Sequence, residues 1–227
     1  MIKLPSGSIN RQQSYITKVY AWLTLGLSVS GITAVYVSHN VSLAHYIIGN
    51  RIIFYVLLLL QLFLVVIISS LVSRFSVLVD ATMFWFYSVV SGMTLSIIFF
   101  VYSINSIIMT FLITAGTFGL MSLYGYLTKK DLSRLGSFLV MALLGLIIVQ
   151  FINLFNRNTS FNVIIASVGV LIFVGLTAYD TQKIKNLNTT PNSSELIEKE
   201  AISGALTLYL DFINLFLDLL RLLGRRD

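Results

Sequence analysis

The chain has 227 residues, of which 57% are hydrophobic and only 11% charged, and its mean hydropathy is +0.90. A soluble domain carries about 25% charged residues, so no soluble domain of any size fits this composition. The absence of cysteine excludes disulfides, thiol catalysis and cysteine-ligated metals, and the net charge of +6 sits in short loops between apolar runs, where membrane topology rather than nucleic acid accounts for it.

Residues 1–19 are polar and basic, with Lys3, Arg11 and Lys18, and read as a short cytoplasmic N-terminal tail. The apolar run after them is long enough to span, and no small-residue cleavage site follows it, so an uncleaved first helix is expected. Seven spans can be drawn in chain order, at 20–38, 52–72, 80–102, 106–126, 136–155, 162–180 and 203–223. Each is close to the ~20 residues that cross ~30 Å of hydrocarbon at 1.5 Å per residue. Residues 20–227 are therefore expected to be one all-α, seven-helix membrane domain. Its polar linker of note is 186–200, before the last span, and proline occurs only at Pro5 and Pro191, outside the spans. Gly26 and Gly31, Ala115 and Gly119, and Gly169 and Gly175 are candidates for close helix packing.

Basic residues orient the chain. With the N-terminus inside, the inner segments hold Lys3, Arg11, Lys18, Arg74, Lys129, Lys130, Arg134, Lys183, Lys185 and Lys199, and the outer loops hold Arg51 and Arg157. Seven full crossings put Arg221, Arg225 and Arg226 outside, against this rule. Either the last helix overrides the rule or it does not fully cross.

Two aspartates interrupt the apolar pattern. Asp180 and Asp211 lie in the sixth and seventh spans, where a carboxylate costs on the order of 2.5–3.5 kcal/mol on insertion scales. They are equidistant along the chain from a point between Glu195 and Leu196 in the linker. A compact turn there would set both at similar depth, with Asp211 about 12 Å into its helix. Two carboxylates in one low-dielectric site cannot both ionise cheaply, so they share a proton and titrate as a unit. The plainer alternative makes Asp180 the end cap of a shorter helix and bonds Asp211 to Asn214, one turn on. Asp218 has Arg221 three residues away and reads as a structural ion pair. His39 and His45, near the first outer loop, are too loosely placed for a metal site.

The run Gly175-Leu-Thr-Ala-Tyr-Asp180-Thr-Gln-Lys-Ile closely resembles the sixth-helix signature of the Bax inhibitor-1 family, in its bacterial YccA-like branch. So do Leu206-Thr-Leu-Tyr-Leu-Asp211-Phe-Ile-Asn-Leu-Phe with Leu219-Leu-Arg-Leu-Leu-Gly224, and Tyr124-Gly-Tyr-Leu-Thr-Lys-Lys-Asp131-Leu-Ser before Gly136 and Met141. The resemblance implies two three-helix layers around a central C-terminal helix. It also implies a pH-sensitive calcium leak in the bacterial inner membrane, with Asp180 and Asp211 as sensor and gate. Tyr179, Asn214 and Arg74 are candidates for the groups around that pair, and Gln61 stands nearest to the acidic position that relatives carry in the second helix. Calcium is then the transported species, held transiently by Asp180 and Asp211, with no tightly bound cofactor. The expected partners are the lipid bilayer and calcium ions.

Two other readings stand beside the leak. Relatives are similar to a modulator of a membrane-bound AAA protease and to a suppressor of cell death, which implies a contact regulator docking through residues 1–19. Paired intramembrane aspartates also resemble the intramembrane aspartyl proteases. Asp211, however, lies in Tyr-Leu-Asp-Phe rather than Gly-x-Gly-Asp, and no proline follows Pro191. A non-enzyme is therefore expected.

Overall fold

The computed structural model describes residues 6–70, 76–156, 159–187 and 194–225, and Lys3, Pro5, Arg74, Arg157, Pro191 and Arg226 lie outside the described residues. Among the described residues the chain forms nine helices and no strand: α1 (Ser6–His39), α2 (Val41–Ile48), α3 (Arg51–Ser70), α4 (Val77–Leu95), α5 (Ile98–Val101), α6 (Ile104–Leu127), α7 (Ser133–Asn156), α8 (Thr159–Leu187) and α9 (Ser194–Leu223). Six stretches are helical, long and apolar enough to cross a bilayer, ending with Phe161–Asn186 in α8. The 30-residue α9 is long enough to cross but is not among those six.

Several expectations about the elements change. Residues 6–19 are helical and continuous with the first span in α1, and Tyr15 and Val19 are fully buried. The loop after the first span contains α2, which Asn40 caps by accepting the Leu43 N–H at 3.1 Å. The third span breaks after Leu95. There the Ser96 hydroxyl donates to the Met93 carbonyl at 2.7 Å, a local bond that competes with the helix ladder. Most of the expected linker is also helical, since α8 runs on to Leu187 and α9 starts at Ser194.

The chain divides into two compact units. The first comprises Met1–Val101 and Leu187–Tyr209. In it α1 packs along α4, α3 also packs on α4, and α2 touches α1 and α3. Gly92 brings α4 onto the α1 backbone, since a Cβ there would stand 2.5 Å from the Ser30 carbonyl oxygen. Tyr209 of α9 reaches into this core, 2.7 Å from the hydroxyls of both Ser30 and Ser91.

The second unit comprises Tyr102–Asn186 and Leu210–Asp227. A Cβ on Gly125 of α6 would overlap the Ala178 carbonyl of α8, and one on Gly136 of α7 would overlap the Tyr179 ring. Leu139 fills the space at Gly175, and Phe118 meets Phe212 edge-on at 5.4 Å. Gly26 and Gly169 also make close contacts. A Cβ on Gly31 or Gly119 would meet nothing within 4 Å among the described residues.

Candidate functional site

Asp180 lies two turns before the end of α8, and its helix continues past it. It is therefore not an end cap. Asp211 lies seventeen residues after the α9 start at Ser194, about 25 Å along the helix, instead of the shallow depth expected from a turn near Glu195. Glu195 and Leu196 form the first turn of α9, so no turn centred between them sets the depth of the two acids. What brings them together is side-by-side packing of α8 and α9 within the second unit.

The two carboxyls lie close enough for each to act on the other. Both side chains are withdrawn from solvent, with Asp180 8% and Asp211 4% exposed. An ionised carboxylate only accepts hydrogen bonds, so two carboxyls placed like this can bond to each other only when one of them carries a proton. Asp211 Oδ2 is buried and makes no hydrogen bond. A buried acceptor left in that state costs free energy that a second proton, a water or a cation would recover. Among the described residues, no group of three or more His, Asp or Glu side chains is arranged to hold a metal ion. The pair offers oxygen ligands only, which suits a hard cation held briefly in flexible coordination.

The expected neighbours behave differently from one another. Tyr179 packs its ring over Gly136, on the α7 side of α8. The Asn214 amide donates to the Leu210 carbonyl at 2.7 Å, within its own helix, rather than to Asp211. Gln61 donates to Thr94 at 3.1 Å and belongs to the first unit. Arg74 cannot be placed, being outside the described residues. Asp218 does form the expected pair, accepting from Arg221 at 2.9 Å. Its carboxylate also rests where a Cβ on Gly169 would be, so any larger residue there would have to move the Asp218 carboxylate.

Other polar groups escaped the sequence reading. Asp80 is 1% exposed with neither oxygen hydrogen-bonded, and Lys199 is the charge acting on it. Its place in the first turn of α4 makes it look like an ordinary acidic helix start. Gln182, one residue beyond Thr181, accepts from the Leu132 N–H and donates to the Lys130 carbonyl, both at 2.8 Å. No pattern in the sequence announces such a two-point clamp.

Comparison with known proteins agrees with the motifs. A family model described as "Inhibitor of apoptosis-promoting Bax1" matches residues 12–227. The chain is 45% identical over 217 residues to Inner membrane protein YbhL of Escherichia coli (strain K12), covering 94% of this chain and 92% of that protein. It is 42% identical over 216 residues to an uncharacterized protein of Borreliella burgdorferi, covering 95% and 93% of the two chains. A protein of Deinococcus radiodurans is 39% identical over 220 residues, covering 97% and 94%.

Proposed function

The chain belongs to the Bax inhibitor-1 family, and from that premise we propose that it is a pH-sensitive calcium leak gated by Asp180 and Asp211. The observation that carries this reading is the juxtaposition of two buried carboxyls on α8 and α9. While one proton is shared, the bond pins α8 to α9 and the path is shut. When both groups ionise, the bond is lost and the charges repel. At ~4 Å and an effective dielectric of 20 the repulsion is about 4 kcal/mol, enough to move a two-state equilibrium by nearly three decades. The two bare carboxylates then supply oxygen ligands to the passing calcium ion, which is cargo rather than a resident cofactor.

The same proposal takes α9 as a seventh crossing and as the centre of the family's two-layer arrangement, with the N-terminus in the cytoplasm and the membrane as the bacterial inner membrane. A helix surrounded by other helices needs no lipid-facing apolar surface, which is how a chain with acids at 211 and 218 would remain in the bilayer.

Calcium flux into proteoliposomes, measured across pH, tests the reading. Wild-type flux should rise with pH through the titration of the pair. Asp180→Asn and Asp211→Asn keep a hydrogen-bonding side chain without an ionisable group, so both should lose that rise. Wild-type pH profiles in both variants would overturn the gate.

A further inference from the structure

We infer that the end of the second unit built from the α6–α7 loop and the last turns of α8 is a binding site for the headgroup of an anionic phospholipid. The inference is independent of the leak reading. Its starting point is a convergence of cations. Gln182 binds the loop backbone at Lys130 and Leu132. Lys185 donates to the Tyr126 carbonyl at 2.6 Å and lies 5.0 Å from the Tyr126 ring centroid. These contacts lay residues 126–132 along the end of α8. Lys129 and Lys130 of the loop, Arg134 of the first turn of α7 and Lys183 of α8 are all exposed there.

The only acid among these residues is Asp131. Its Oδ1 is occupied in accepting the Ser133 N–H at 2.9 Å, and Arg134 is the cation that acts on it. Among the described residues Lys129 and Lys130 therefore pair with no acid, while Arg134 acts on Asp131 and Lys183 on Asp180 inside the unit. The patch lies at the edge of lipid-facing surface. Leu127 is 64%, Leu135 45% and Phe138 66% exposed, immediately before and after the loop. A ligand that fits both features carries a negative headgroup for the cations and acyl chains for the apolar belt. Free phosphate satisfies only the first. Basic residues beside a membrane contribute on the order of 1 kcal/mol each toward anionic lipid, about fivefold per cation, and the effect is screened by salt.

The test uses the full chain in phosphatidylcholine bilayers. Association of spin-labelled phosphatidylglycerol is compared with that of spin-labelled phosphatidylcholine. Wild type should prefer phosphatidylglycerol several-fold, and salt should reduce the preference. Lys129→Gln with Arg134→Gln should abolish it. Arg51→Gln with Arg225→Gln removes as much charge elsewhere and should leave it unchanged. Gln182→Leu keeps every cation but frees the loop, and should also lower the preference. The inference is overturned by equal retention of the two lipids in wild type, by an equal loss in the Arg51/Arg225 control, or by an unchanged preference in Gln182→Leu.

Discussion

Glycine at 125 and glycine at 119 are two turns apart on α6 and chemically identical, yet their surroundings are opposite. A Cβ at 125 would run into the Ala178 carbonyl, a backbone group that cannot rotate away, whereas one at 119 meets nothing within 4 Å. Gly125→Ala should therefore destabilise the protein by about 1–3 kcal/mol, the usual cost of overpacking. Gly119→Ala should be neutral or slightly stabilising, because alanine restricts the unfolded chain and favours helix. Thermal unfolding in detergent separates the two, and equal melting temperatures would contradict the close α6–α8 contact. The aspartates make the same point about legibility. Their presence and their motifs are plain in the sequence, but the partner of each depends on which way its helix faces. In sequence Asn214 is a candidate partner for Asp211 as Asp180 is, but its amide donates to the Leu210 carbonyl.

At the scale of an element, the first two turns of α9 are an amphipathic helix read as a polar linker. Glu198 receives hydrogen bonds from Lys18 and, at 2.8 Å, from the Trp22 indole. Burial pushes the Glu198 carboxyl up, but the hydrogen bonds from Lys18 and Trp22, with the Lys18 charge, outweigh it and hold it below the usual glutamate range. Glu200 has no such help and is raised by burial, with its Oε2 enclosed and unpartnered. The signs follow from linkage. A depressed folded pKa gives stability that is present above the unfolded value of about 4.3 and lost as pH falls through the folded value. A raised one makes ionisation a cost above the unfolded value. Glu198→Gln should therefore lower the melting temperature at neutral pH, and the deficit should close below about pH 4. Glu200→Gln should raise the melting temperature at neutral pH and do nothing in acid. Melting curves at the two pH values check both, and a destabilised Glu200→Gln at neutral pH would show that its carboxylate is needed.

At the scale of the molecule, the number of crossings is the open consequence of reading α9 as a span. Because the chain contains no cysteine, single introduced cysteines report topology directly. Seven crossings with the N-terminus inside place Arg51→Cys and Arg225→Cys outside and Lys129→Cys inside. A membrane-impermeant maleimide applied to intact cells should label the first two and spare the third until the membrane is opened. Labelling at 225 only after permeabilisation would mean that α9 does not cross.

Composition and apolar run length determined by themselves that this is an all-helical membrane protein, because the burial of backbone polar groups in lipid leaves helices as the economical solution for runs of this length. The motifs around 180 and 211 likewise determined the family, since they are local in the chain. Tertiary structure alone decided that α9 begins nine residues early, that Gln182 clamps a loop fifty residues away in sequence, and that the Asp180 and Asp211 carboxyls meet. Each of those depends on which faces of distant segments pack together, and helical periodicity in a chain apolar on nearly every side carries little record of that choice.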